Sequence, residues 1–194
     1  MKILCTICAR AGSKGLKNKN LKMINSKPLI YYTIQSAKKI KSFNKIVISS
    51  DSKKIINLGK KLKIKNYLMR PKNLGQDNSA KIPAIKHALL EMEKKYNQKF
   101  SIIVDLDVTA PLRNNNDINK AIRKFKQKKY DTLFSVNKTR KNPYYNCVEI
   151  INKRINPIKR KRKHFSGRQQ APKVFDMNAA ISIWNRKTLL TKNS

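Results

Sequence analysis

Short runs rich in β-branched residues recur along this chain of 194 residues, and most are followed by a stretch of helical spacing. Residues 2–8 (KILCTIC), 45–50 (KIVISS), 66–69 (NYLM), 101–105 (SIIVD), 132–136 (TLFSV) and 179–184 (AAISIW) read as strands. Between them, residues 28–39, 52–63, 81–96 and 117–128 carry apolar side chains at helical periodicity; Ile82, Ile85, Ala88, Leu89 and Met92, for instance, share one face. The strands lack internal polar alternation, so both of their faces must be covered. This pattern predicts an α/β fold: a mostly parallel sheet with helices on either side. Ligands of such sheets bind beyond the carboxyl ends of the strands, which directs attention to residues 9–20, 49–51, 69–79 and 105–113. After Val136 the alternation weakens, and residues 138–175 are irregular and basic. They are expected to form a lobe protruding from a single domain, residues 1–194.

A chain of this length can bury a core without disulfides. No apolar run approaches the roughly 20 residues that span a bilayer, and the apolar start is followed by a basic loop instead of a small-residue cleavage site. A cytoplasmic protein with no membrane partner is expected. Cys5 and Cys8 form a C-x-x-C, but both lie in the first strand and no second ligand pair follows, so buried, reduced thiols are expected. The chain carries 46 Lys and Arg against 10 Asp and Glu, a formal charge of +36. That balance predicts affinity for polyanions. The lysines are spread along helix faces, and aromatic residues such as Tyr31, Tyr32 and Phe125 sit in apolar stripes. A nucleic-acid platform would gather basic residues and interleave them with aromatics, so nucleic acid is not the expected partner, although an α/β nucleic-acid binder is the alternative that the charge raises.

The loop A-R-A-G-S-K-G-L-K-N-K-N, residues 9–20, follows a strand and precedes a helix. Backbone N–H groups at such a junction can cradle phosphate. Gly12 and Gly15 allow close approach, and Arg10, Lys14 and Lys19 supply cations; a solvated basic loop is the plainer reading. In D-L-D-V-T-A-P-L-R, residues 105–113, Asp105 and Asp107 alternate at the end of a buried strand, which puts both carboxylates on one side. Paired carboxylates there suit Mg²⁺, while Asp105 alone also suits a buried partner for a lysine or a loop N–H. Gln169 and Gln170 beside Arg168 could hold a carboxylate or a hydroxyl-rich sugar, or simply form a polar loop. His87 and His164, the only histidines, complete no Ser/His/Asp set.

Taken in order and spacing, A-R-A-G-S-K-G-L-K-N-K-N, K-P-L-I-Y-Y-T-I, I-V-I-S-S-D, R-P-K-N-L-G-Q-D, D-V-T-A-P-L-R and R-Q-Q-A-P resemble the N-acylneuraminate cytidylyltransferase family, over residues 2 to about 186. The resemblance implies a Rossmann-like three-layer sandwich of the nucleotide-diphospho-sugar transferase type. It implies transfer of CMP from CTP to an acidic nine-carbon sugar, with Mg²⁺ as cofactor and pyrophosphate released. Arg10, Gly12, Ser13, Lys14, Gly15, Lys19 and Asn20 would bind the CTP phosphates, with Arg70, Asp77 and Ser79 along the nucleotide. Asp107, Thr109, Arg113, Arg168 and Gln169 would meet the sugar, Asp105 and Asp107 the metal, and Arg10, Lys14, Lys19 and Asp107 would carry the catalysis.

The anomeric hydroxyl would attack the α-phosphate in line, with metal-assisted deprotonation. The family implies a homodimer in which the lobe 138–175 approaches the partner's site. Family members often have Gln where this chain has Asp107, and related acidic-sugar enzymes use Asp nearby for metal. That departure implies a legionaminate-like or pseudaminate-like sugar. Relatives also continue past Ser194 into a tail with an acidic metal-ligand pair and a closing helix, so the C-terminal part of the family domain is expected to lie outside these residues. The wider fold also serves other sugar phosphates, but R-Q-Q-A-P favours an acidic sugar.

Overall fold

The computed structural model describes residues 1–12, 15–74, 80–128, 130–159 and 167–191, without the side chains of Lys72 and Arg168. The chain forms two compact units, Met1–Ser135 together with the chain from Ala179 on, and Val136–Asn178. The expected lobe, residues 138–175, falls within the second.

In the first unit, β1 (Ile3–Cys8) leads through the basic loop to the two-residue strands β2 (Met23–Ile24) and β3 (Lys27–Pro28), then α1 (Leu29–Lys38). There follow β4 (Lys45–Ser50), α2 (Lys53–Lys61), β5 (Asn66–Met69), α3 (Lys81–Tyr96), β6 (Ile102–Leu106), α4 (Asn115–Lys128) and β7 (Thr132–Lys138), which runs into the second unit. The second unit holds β8 (Val148–Ile151) and β9 (Arg154–Pro157), and β10 (Phe175–Asn185) returns to the first, ending in α5 (Arg186–Thr191). The main sheet has the order β5-β4-β1-β6-β10-β7, with β5, β4, β1 and β6 parallel and β10 antiparallel to β6.

Alternation along the strands divides the core between two faces. Ile3, Cys5 and Ile7 of β1, with Ile48, Ile102 and Val104, pack with α1, α2 and α4 through Ile30, Ile34, Ile55, Ile118 and Phe125. Leu4, Val47 and Ile103 point the other way, to Ile85, Ala88, Leu89 and Met92 of α3 and Leu189 of α5. This is the three-layer arrangement that the unbroken apolar strands predict. The helix expected over 117–128 starts two residues earlier: Asn114 Oδ1 accepts from the Asp117 N–H at 2.9 Å, and Asp117 Oδ2 accepts from the Asn114 N–H at 3.3 Å, a reciprocal cap. No helix among the described residues is long and apolar enough to cross a membrane.

Candidate functional site

The carboxyl ends of β1, β5 and β6 open on a cavity of about 290 Å³ lined by Cys8, Arg10, Gly12, Lys19, Asn20, Arg70, Leu74, Ala80, Lys81, Asp107, Val108 and Thr109. Three stretches that are distant in sequence meet there because the parallel strands all release their loops at the same edge of the sheet. The basic loop is held at its base. The Ala9 N–H donates to Ser49 O at 3.0 Å, the Ala11 N–H to Asp51 Oδ1 at 2.7 Å, and Asn20 Nδ2 to Arg10 O at 2.9 Å. Asn18 adopts a left-handed conformation (φ 55°) that lets the chain turn into the short 3-10 segment Lys19–Leu21. Among the described residues, a Cβ at Gly15 would meet nothing within 4 Å.

Arg70 is buried and spends its guanidinium on the protein. Nε donates to Ser49 Oγ at 3.2 Å, Nη2 to Ser49 O at 2.9 Å and Nη1 to Leu74 O at 3.4 Å, fastening the turn after β5 to the end of β4 while the residue still lines the cavity. Of the expected site residues, Arg10, Gly12, Lys19, Asn20, Arg70, Asp107 and Thr109 line this one cavity. Ser13, Lys14, Asp77 and Ser79 lie outside the described residues. Gln169 belongs to the second unit, where with Lys138, Asn142, Pro172, Phe175 and others it lines a cavity of about 570 Å³; the Arg168 side chain is not described.

The two carboxylates do fall on one side of β6, as alternation requires, and what lies between them is Lys81, the first residue of α3. Its Nζ is 2.5 Å from Asp105 Oδ2 and 2.7 Å from Asp107 Oδ2. The other oxygens are also engaged. Thr6 Oγ1 donates to Asp105 Oδ1 at 2.8 Å across the register pair Thr6 and Asp105, and Asp107 Oδ1 accepts from Thr109 N at 2.7 Å and Thr109 Oγ1 at 2.6 Å. Asp105 is 1% exposed and Asp107 19%. Burial alone would raise the Asp107 pKa, but the Lys81 ammonium and the Thr109 donors more than offset it, holding the carboxyl below its usual range. Burial likewise works against the Lys81 ammonium, and Asp105 and Asp107 together raise its pKa above the usual lysine value.

Asp105 therefore serves as a buried partner for a lysine, while Asp107 faces the cavity. Mg²⁺ demands near-octahedral oxygen ligands at about 2.0–2.1 Å. A pair whose oxygens all accept from protein donors, with an ammonium between them, does not fit a bridging Mg²⁺. No group of three or more His, Cys, Asp or Glu that could hold a metal occurs among the described residues.

Arg113 departs from the role that the resemblance implies. It is 8% exposed and turns inward. Nη1 donates to Asp107 O at 3.0 Å and Ala180 O at 2.7 Å, and Nη2 to Thr33 Oγ1 at 3.2 Å. It ties the loop after β6 to β10 and α1, and so positions Asp107 from beneath without lining the cavity. Burial lowers its pKa against the pull of its neighbours. Cys8 is also a correction: the thiol is only partly buried and lines the cavity, though burial and the Asp105 carboxylate push its pKa up to about 12. All three cysteines are free. Lys81 was not legible as a site residue, being one of 46 Lys and Arg; its signal was its place, opening the helix that packs beside the Asp105 strand.

As a whole the cavity sets Arg10, Lys19, Arg70 and Lys81 around the ionised Asp107. Such a field suits a polyphosphate, with one carboxylate left to orient a second reactant.

A family model for cytidylyltransferases matches residues 4–179. The chain is 43% identical over 192 residues to post-translational flagellin modification protein B of Campylobacter coli, covering 99% of this chain and 81% of the relative. It is also 43% identical over 192 residues to the CMP-N,N'-diacetyllegionaminic acid synthase of Campylobacter jejuni, with the same coverage. The fold matches a structure of CMP:2-keto-3-deoxy-manno-octonic acid synthetase complexed with CTP, with a TM-score of 0.73 and 14% identity, over 98% of this chain and 76% of that one.

Proposed function

We propose that this chain, which belongs to the cytidylyltransferase family, transfers CMP from CTP to an acidic nine-carbon sugar, with a legionaminic acid derivative as the acceptor. The observation that carries the reading is the cation-lined cavity with Asp107 ionised inside it. The 43% identity to a CMP-N,N'-diacetyllegionaminic acid synthase supports the choice of sugar.

In this reading Arg10, Lys19 and Asn20, with Ser13 and Lys14 of the same loop, hold the triphosphate, and Arg70, Asp77 and Ser79 lie along the nucleotide. The anomeric hydroxyl of the sugar attacks the α-phosphorus in line. A new O–P bond forms as the bond to the β-phosphate oxygen breaks, pyrophosphate leaves, and the hydroxyl proton passes to water. Asp107 orients that hydroxyl, and Thr109 holds Asp107. Catalysis rests on positioning and on cations placed where pyrophosphate charge develops. Mg²⁺ is proposed as the counter-ion of CTP, where it would neutralise phosphate charge. Arg168 and Gln169 are retained as proposed sugar ligands, tested by a rise in sugar KM on Gln169→Ala.

A cytoplasmic homodimer is proposed as the working form. The second unit exposes Val148, Ile150, Ile155 and Met177, with Ile150 75% and Ile155 72% accessible, more apolar surface than a small unit usually leaves to water. Sedimentation velocity on the wild type and an Ile150→Lys, Ile155→Lys variant tests this: the wild type should sediment as a dimer and the variant as a monomer. The function is tested by incubation with CTP, Mg²⁺ and N,N'-diacetyllegionaminic acid, reading the CMP-sugar by mass spectrometry. CMP-sugar from CTP with little AMP- or UMP-sugar when ATP or UTP replaces it supports the proposal; AMP- or UMP-sugar formed at a similar rate contradicts it.

A further inference from the structure

Asp105 and Asp107 are the carboxylates that a strand-end metal would use, yet Lys81 bridges them at 2.5 and 2.7 Å while Thr6 and Thr109 occupy the remaining oxygens. We infer that Lys81 takes the place of a protein-bound divalent ion at this pair: its ammonium closes the pair to metal, and a metal used in the reaction enters with the nucleotide's phosphates. The only point at which this rests on the proposed activity is the metal's entry with the nucleotide.

Three observations carry it. Asp105 is almost fully buried, and a buried carboxylate must be paired. A lysine reaching from the next element supplies that partner as one charge on a flexible stem, without the ligand geometry Mg²⁺ requires. The Lys81 side chain is 37% exposed and lines the cavity beside Asp107, so the ammonium sits at the mouth of the pair and not behind it. Lys81 is thus a positioning residue: it tethers Asp107, and the loop that carries it, to the start of α3. The pair with its lysine contributes a net charge of −1, whereas the pair with Mg²⁺ would be neutral, so the triphosphate's own ion is left to offset that last charge.

The test is Mn²⁺ binding followed by electron paramagnetic resonance, with no nucleotide or sugar present, so failure of the proposed activity cannot mimic its result. The wild type should bind no Mn²⁺ at the pair at concentrations up to about ten times the protein. Lys81→Ala should gain one Mn²⁺ site at least about tenfold tighter than any in the wild type, and the added change Asp105→Asn should remove it. In a separate arm, CTP added to the wild type should give a bound Mn²⁺ signal beyond that of Mn²⁺ and CTP without protein, and none beyond it would contradict entry with the phosphates. Should Lys81→Ala fail to fold, the wild-type titration decides. One Mn²⁺ bound by the nucleotide-free wild type and lost in Asp107→Asn overturns the inference. So does a folded Lys81→Ala protein that gains no site.

Discussion

The sharpest conflict between resemblance and geometry concerns Arg113, and a substitution separates them. Arg113→Met keeps much of the side-chain volume and removes donors at 2.7, 3.0 and 3.2 Å to Ala180 O, Asp107 O and Thr33 Oγ1. The acceptors are not wholly orphaned: Thr33 Oγ1 still donates to Asp107 O, and the Asp107 N–H to Ala180 O, both at 3.3 Å. Each lost bond then contributes about 1 kcal/mol, so the variant should lose about 3 kcal/mol, or somewhat more because the donor is charged. With a urea slope of about 2 kcal/mol per molar, the unfolding midpoint falls by about 1.5 M. Arg113→Lys keeps the charge but not the fork and should recover part of the loss. Urea unfolding of the nucleotide-free protein measures this, and steady-state kinetics measures the sugar KM. A midpoint within about 0.3 M of wild type, together with a tenfold rise in sugar KM, would mean that the guanidinium meets substrate and that this reading of Arg113 is wrong.

Asp107→Asn should lower kcat by about 10²–10³ while leaving CTP-induced thermal stabilisation within a few-fold; a kcat within threefold of wild type would remove Asp107 from the reacting centre. Burial pushes the Glu93 carboxyl up, but Arg186, bonded through both carboxylate oxygens at 2.9 Å, and the Phe100 N–H bring it below its ordinary value, and Asp107 is lowered too. The unfolded state therefore takes up these protons first. The stability they supply is complete above the unfolded values of about 4 and is lost as pH falls through the lower folded values. Urea midpoints should be flat from pH 7 to about 5.5 and fall below about 4.5, less steeply in Glu93→Gln; equal slopes would refute the assignment. At Gly59 a Cβ would stand 2.6 Å from Ile48 Cδ1. Gly59→Ala should be destabilising by about 1 kcal/mol net, overpacking outweighing helix propensity, and Ile48→Val in the same chain should make the alanine stabilising; additive effects would count against this contact.

Much of the architecture was legible because the signals were redundant. β1, β4 and β6 are largely β-branched runs without apolar–polar alternation, and the helices between them carry apolar stripes that pack where the periodicity points. The strands of the second unit were not legible. Its hairpin turns on Asn152 and Lys153, both at positive φ, without the glycine that usually marks such a turn, and every residue of β8 is exposed, so no alternation exists to read. The first half of β10 was missed for a related reason: Phe175–Met177 is exposed, and Ala179 at φ 55° interrupts the strand. At the site, alternation correctly put Asp105 and Asp107 on one side. What separated their roles was depth, which depends on how far α3 covers the strand end. The same limit applied to Arg113, since a motif names a residue but not the direction in which its side chain turns.

Transfer of CMP to an acidic sugar is decided by pyrophosphate release from CTP and Mg²⁺ with N,N'-diacetyllegionaminic, pseudaminic and N-acetylneuraminic acids in parallel, with ATP, GTP and UTP as controls. Release is expected with CTP alone, with the highest kcat/KM for the legionaminic acid derivative. Release that ignores the base of the nucleotide, or none with any of the three acids from a protein that CTP stabilises, would contradict it.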